Sequence, residues 1–234
     1  MARAIDYALY LVTDRAAARG RGLVEIVRAA VQGGASVVQL RDKDASTRDS
    51  LRLALELKAL LEPLGVPLIV NDRIDLALAC GAAGVHLGQE DLPCDLARRL
   101  VGGECLLGVS VSTQEEARRA TGEGADYLGV SPVFDTPTKR DTPTATGLAG
   151  LAAIRAVTHL PLIAIGGINE RNAGTVMAAG ANGIAVVSAL MAAEDPAAAA
   201  RALRLAIAGG RAHLTPLTPC AGGAGGEGPG DRDT

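Results

Sequence analysis

Hydrophobic and polar positions in this chain come in blocks, and the blocks follow one rule. An aliphatic run stops in a polar cluster: VVQL runs into Arg41-Asp42-Lys43, PLIV into Asn71-Asp72, and GVHL into Gly88-Gln89-Glu90-Asp91. LLGV then runs into Ser110, YLGV into SPVFDTPTK, LIAI into Gly166-Gly167, and IAVV into Ser188. Short apolar runs without alternation, each followed by helical periodicity, predict parallel strands buried on both faces. Strands are expected at ALYLVT, SVVQL, PLIV, GVHL, LLGVS, DYLGV, PLIAI and GIAVVS.

Helical spacing fills the gaps. It predicts helices over 23–32, within 47–61 (capped by Ser46 or Thr47 and ended before Pro63), over 74–79 and over 96–100. A further helix starts near the capping-box sequence Thr113-Gln114-Glu115-Glu116. Others cover 151–157 and 172–179, and Ala-rich helices end near Ala208. Eight such repeats in about 210 residues predict a (β/α)8 barrel, for which ~250 residues is typical. An open doubly wound sheet rarely carries so many short, regular repeats. No linker interrupts the pattern, so residues 1–208 are expected to form one catalytic barrel. Composition changes at Gly209, and the Gly-rich, polar end AGGAGGEGPGDRDT predicts a disordered tail over 209–234.

Composition narrows the function. Hydrophobic residues make up 48% of the chain and charged residues 21%, enough for a sizeable core and a soluble surface. Aromatics are only 2%, with no Trp and one Phe, which leaves few stacking platforms for single-stranded nucleic acid. A net charge of −3 argues against a broad basic surface for nucleic acid or anionic membrane. Cys80, Cys94, Cys105 and Cys220 stand singly, as expected for reduced thiols rather than a disulfide framework. The N-terminus lacks a signal-peptide pattern, and no apolar stretch reaches the ~20 residues of a membrane span. A cytoplasmic protein is expected, and the sequence leaves open whether it forms a homo-oligomer.

In a closed parallel barrel every strand ends at one mouth, so the polar clusters should converge there. Pooled, they offer cations, carboxylates, hydroxyls and glycine turns, a mixture suited to a metal-bound, multiply phosphorylated small molecule. Arg41 and Lys43 lie two apart, on the same side of extended backbone, and combine a planar fork with a point charge. Asp72 and Asp91, after neighbouring strands, could share a hard cation; helix capping is the alternative for them and for Asn71. His86 reads as a packed, hydrogen-bonded histidine rather than a base. The long loop SPVFDTPTKRDTPTATG carries Thr136, Thr138 and Lys139, stiffened by Pro132, Pro137 and Pro143. Gly166-Gly167 after strand seven and Val187-Ser188 after strand eight match the usual phosphate site of this architecture.

The motifs LYLVTDR, VQLRDKD, VNDRIDLALACGAAGVHLGQEDLP, LGVSVST, ADYLGVSPVFDTPTK, PLIAIGGI and IAVVSAL, in this order, resemble the thiamine-phosphate synthase family from about Tyr10 to Ala193. The resemblance implies a (β/α)8 transferase that forms a C–N bond between a pyrimidine diphosphate and a thiazole phosphate. The products would be thiamine phosphate and pyrophosphate, with Mg2+ as cofactor. Carried over by motif, Gln39, Leu40, Arg41, Asp42 and Lys43 would contact the pyrimidine diphosphate, with Asn71, Ser110 and Lys139. Asp72 and Asp91 would bind Mg2+. Thr136, Pro137 and Thr138, with Gly167, Val187 and Ser188, would hold the thiazole phosphate. Arg41, Lys43, Lys139 and Ser110 would carry catalysis.

One departure bears on function. Many members of the family have His-Thr where this chain has Ser112-Thr113. A related barrel that the chain also resembles, the thiazole tautomerase, is expected to use a histidine there as acid/base, so Ser112 weighs against that alternative. A non-catalytic phosphate sensor on the same barrel is a third reading, opposed by the intact Lys139 and Asp pair. Diphosphate-stabilising groups are plentiful and no convincing general base appears, which predicts a dissociative displacement.

Overall fold

The computed structural model describes residues 5–135 and 145–211. Its strands are β1 (Leu9–Val12), β2 (Val37–Leu40), β3 (Leu68–Asn71), β4 (Gly84–Leu87), β5 (Leu106–Val111), β6 (Tyr127–Val130), β7 (Leu162–Ile165) and β8 (Gly183–Val186). All pair in parallel in sequence order, and β8 pairs with β1 to close the barrel. Six of the strands fall inside runs expected from the sequence, and β3 and β5 run one residue past theirs, to Asn71 and Val111. The helices between them are α1 (Leu23–Gln32), α2 (Thr47–Leu61), α3 (Ile74–Cys80), α4 (Cys94–Val101), α5 (Gln114–Gly122), α6 (Gly147–Arg155) and α7 (Ala173–Ala178). The short α8 (Ser188–Met191) and the long α9 (Pro196–Arg211) follow β8. This is a (β/α)8 barrel.

Strand periodicity sorts side chains into two cores. Outward residues such as Leu11, Val38, Leu40 and Leu107 pack under the helices in the larger core. Inward residues, Tyr10, Val12, Val37, Ile69, Tyr127, Ile163 and Ala185, fill the barrel. Two tyrosines supply much of the volume that a chain with one Phe and no Trp has to find inside.

Local chemistry sets the helix ends. Ser46 caps α2, its hydroxyl accepting from the Asp49 amide at 3.1 Å. The capping box at α5 forms as expected, with Thr113 accepting from the Glu116 amide and Glu116 accepting from the Thr113 amide. The last helix corrects an expectation: α9 does not end near Ala208 but continues through Gly209 and Gly210 to Arg211. The reason is close packing on α7, where a Cβ on Gly210 would lie 2.3 Å from the Gly174 carbonyl oxygen. These glycines permit a helix contact instead of starting a coil. The tail expected beyond this point falls, from residue 212 on, outside the described residues. Among the described residues no helix is long and apolar enough to cross a membrane.

Candidate active site

Inward positions at the C-terminal ends of the strands enclose a cavity of about 310 Å3. Gln39 and Arg41 reach it from the end of β2, Asn71 from β3, His86 from β4 and Ser110 from β5. Gly166 and Gly167 follow β7, and Val187 and Ser188 follow β8. Ile163, Ile165, Ile168, Val12 and Ala185 give it an apolar wall. Seven site residues named from the sequence thus meet here: Gln39, Arg41, Asn71, Ser110, Gly167, Val187 and Ser188.

Arg41 is held from two sides. Its amide donates to the Thr13 hydroxyl at 3.0 Å, and that hydroxyl donates back to the Arg41 carbonyl at 3.3 Å. Its Nη1 donates to Asp14 Oδ2 at 3.0 Å, with both side chains only 16% exposed. One arm of the fork is thus fixed and the rest stays directed at the cavity, an arrangement suited to an anionic group. Asp42 is engaged differently, since its carboxylate takes both arms of Arg15. Leu40 points away into the core beneath the helices. Neither Leu40 nor Asp42 lines the cavity by its side chain, which leaves the backbone as their route to a ligand. Lys43 is exposed, yet its charge reaches Asp72.

The two carboxylates face each other. Asp72 takes a left-handed conformation (φ 62°), which Asp tolerates better than most residues, and its amide donates to the His86 carbonyl at 2.8 Å. Burial, then a hydrogen bond with Asp91 and the Asp91 charge, push the Asp72 carboxyl up to about 6, against the lowering pull of Lys43 and Arg41. Asp91 Oδ2 also accepts from the Gly88 amide at 2.6 Å. Neither residue caps a helix, because the N-cap of α3 is Arg73 and that of α4 is Pro93. The capping alternative open in the sequence is thereby removed.

After β7 the chain turns through Gly166 (φ 106°) and Gly167 (φ 63°), positive-φ conformations that glycine adopts without steric cost. Side chains there would also collide, since a Cβ on Gly167 would sit 2.8 Å from Phe134 Cβ and 2.9 Å from the Asp135 carbonyl oxygen. Asn172 pins the turn, donating Nδ2 to the Gly167 carbonyl at 2.9 Å and accepting from the Asn169 amide at 2.8 Å. The first-turn amides of α8 begin at Ser188, beside this turn. Backbone N–H groups of this kind suit a phosphate.

Sequence reasoning missed the cavity floor. His86 is hydrogen-bonded as expected, through Nδ1 to the Tyr127 hydroxyl at 3.1 Å and through Nε2 to Ser110 Oγ at 2.9 Å, but it lines the cavity. Tyr127 meets the Tyr10 hydroxyl at 3.0 Å, and Tyr10 accepts from Gln39 Nε2 at 2.9 Å. Gly108 and Gly129 make room, for a Cβ on Gly108 would lie 2.1 Å from Tyr127 Cζ and one on Gly129 would lie 2.9 Å from His86 Cε1. The available signal was that two of the three tyrosines stand at inward strand positions. Asp14 and Thr13 were missed because they follow β1, whose motif carries no phosphate-binding pattern.

Ser112 has a local role. Its amide and hydroxyl both donate to Glu116 Oε2, at 2.6 and 2.9 Å, so it extends the α5 capping box and does not line the cavity. The buried Cys80 and Cys94 and the half-buried Cys105 are poor nucleophiles: burial raises Cys80 and Cys105 and pushes Cys94 up to about 11. Thr136, Pro137, Thr138 and Lys139, named from the sequence, lie outside the described residues, as does Cys220.

Known proteins share both the sequence and this barrel. A model of the family described as thiamine monophosphate synthase matches residues 9–190. The thiamine-phosphate synthase of Syntrophomonas wolfei is 56% identical over 199 residues, 85% of this chain and 95% of that one. That of Chloroflexus aurantiacus is 56% identical over 204 residues, 87% of this chain and 94% of its own. Among solved structures, the thiamine phosphate pyrophosphorylase of Pyrococcus furiosus superposes with a TM-score of 0.81 at 40% identity, covering 88% of this chain and 98% of that one. A 3-hexulose-6-phosphate synthase, at 18% identity and a TM-score of 0.67, shares the fold alone. The match over most of the chain, in sequence and in fold, places this protein in the thiamine monophosphate synthase family.

Proposed function

We propose that this chain condenses 4-amino-2-methyl-5-(diphosphooxymethyl)pyrimidine with 4-methyl-5-(2-phosphooxyethyl)thiazole, as a cytoplasmic transferase that makes thiamine phosphate and pyrophosphate. The observation that supports the reading is one cavity served by two groups of anion-binding elements. Arg41 lines it at the end of β2, with Lys43 and the Asp72–Asp91 pair outside its lining but within electrostatic reach of one another, and the Gly166-Gly167 turn and the start of α8 line it after β7 and β8. The apolar residues of the cavity offer a surface for the two rings.

The donor set fits Mg2+. Two facing carboxyls repel when both are ionised, and a shared proton or cation relieves the clash. Oxygen ligands from two carboxylates, completed by water and substrate phosphate, suit a small hard ion. Asp72 and Asp91 would hold it, and when bound it would neutralise charge on the diphosphate oxygens.

The chain's own residues account for the rest. Arg41 and Lys43, joined by Lys139, stabilise charge that grows on the leaving diphosphate as the methylene C–O bond breaks and its electron pair stays on oxygen. The aminopyrimidine delocalises the resulting cation. The thiazole nitrogen, held through its phosphate near Gly167, Val187 and Ser188, donates its lone pair to form the C–N bond. That nitrogen carries no proton, so the step needs no general base, and none of the cavity residues has to act as one. Ser112, tied to Glu116, supports this reading over the tautomerase.

An assay with both phosphorylated substrates tests the proposal. Equal amounts of thiamine phosphate and pyrophosphate, formed only with Mg2+, are expected; isomerised thiazole phosphate without coupling would sink it. Asp91→Asn keeps an oxygen for the Gly88 amide and removes the charge. It is expected to raise the Mg2+ concentration for half-maximal rate ~10-fold or more, read from a metal titration of the rate. An unchanged titration curve would return Asp91 to a purely structural role.

A further inference from the structure

We propose that Tyr10 and Tyr127 are positioning residues: they impose one direction on the hydrogen-bond chain from Gln39 to Ser110, so that His86 carries its proton on Nε2 and the Ser110 hydroxyl donates into the cavity.

The direction follows from counting donors. An amide nitrogen only donates, so Gln39 Nε2 gives its hydrogen to the Tyr10 oxygen. The Tyr10 hydrogen then needs an acceptor, and the Tyr127 oxygen stands 3.0 Å away. Tyr127 in turn gives its hydrogen to His86 Nδ1, 3.1 Å away. With Nδ1 serving as acceptor, the neutral imidazole places its proton on Nε2 and donates it to Ser110 Oγ at 2.9 Å. Ser110 lines the cavity, and its own hydrogen is left to point there.

The opposite direction fails at one atom. If Nδ1–H donated to Tyr127 and Tyr127 donated to Tyr10, the Tyr10 oxygen would receive two hydrogens. Among the described residues its own hydrogen would have no further acceptor, at a residue only 1% exposed. Leaving a buried donor unpaired is the more expensive arrangement. Burial also raises both phenols far above their ordinary range, so they remain protonated and able to pass the direction along. A chain of this length strengthens each of its bonds in the dry barrel interior.

The first test reads the tautomer. The sequence has three histidines; His159 is exposed and His213 lies outside the described residues. Full-length protein carrying His159→Gln and His213→Gln leaves His86 as the one imidazole for 15N NMR at neutral pH. Protonated Nε2 with a lone pair on Nδ1 is expected; a protonated Nδ1 would overturn the proposal, whatever the enzyme's substrate.

A kinetic arm rests on the function proposed above. Tyr127→Phe keeps the ring and removes the hydroxyl. The expected result is a KM for the pyrimidine diphosphate raised ~10-fold, with the KM for the thiazole phosphate unchanged. In a Ser110→Ala background the same substitution is expected to add nothing, because the effect passes through the Ser110 hydroxyl. Equal effects in both backgrounds would show that Tyr127 acts by packing and would overturn the positioning role. A protein inactive on these substrates fails the function proposal, and the NMR result still decides this one.

Discussion

Arg41→Ala is expected to lower kcat/KM for the pyrimidine diphosphate by ~100- to 1,000-fold, with the fold retained. The fold survives because Thr13 holds the backbone of residue 41, not its side chain. Asp14 also keeps the Ala17 amide, which donates to its Oδ1 at 2.9 Å. The rate falls because a directed cation at the developing diphosphate charge acts mainly in the transition state, so turnover should drop more than affinity. Arg41→Lys separates charge from geometry. One ammonium cannot serve Asp14 and a phosphate in the way the guanidinium fork can, so a loss of ~10-fold or more is expected to remain. Steady-state kinetics beside a thermal melt would check both. A change below threefold in Arg41→Ala would remove Arg41 from the machinery.

Gly108→Ala is expected to cost ~3 kcal/mol or more, because overpacking a rigid interior has no cheap outlet. Its Cβ would meet Tyr127 Cζ at 2.1 Å, the Tyr127 hydroxyl at 2.4 Å and His86 Nδ1 at 2.5 Å. Tyr127 is fully buried and cannot swing aside. For a domain of this size the midpoint of thermal unfolding should fall by roughly 10 °C. Gly103→Ala is the control, since nothing lies within 4 Å of a Cβ placed there. Any Gly108→Ala protein that does fold should lose the His86–Tyr127 bond, visible as a changed imidazole nitrogen shift. Equal melting of the two variants would show that the barrel interior yields more easily than its packing implies.

Much of the candidate site was legible because strands buried on both faces leave long aliphatic signatures, and the residue that ends each signature lies at the mouth. Strand parity puts Arg41 and Lys43 on one side, but β2 ends at Leu40, and the structure lines the cavity with Gln39 and Arg41 while Lys43 is exposed. The paired carboxylates were visible as residue types but not as a pair. Capping and ligation use the same amino acids, and the positive φ of Asp72 separates the two uses only once β3 and β4 are paired. The end of α9 was misplaced for a similar reason, since a glycine pair reads as a helix stop until a second helix packs against it.

By itself the sequence determined the barrel, the order of its strands and the chemistry gathered at its mouth, because burial, helical spacing and turn residues are properties of neighbouring positions. The tertiary structure decided what depends on closure. Tyr10 and Tyr127 are 117 residues apart, and their hydroxyls meet only because β8 returns to β1 and brings both rings into one narrow interior. Hydrogen-bond direction, the facing of Asp72 and Asp91, and the split between Arg41 turned to the cavity and Asp42 tied to Arg15 arise in the same way. Each is an interaction through space between segments that no local periodicity links.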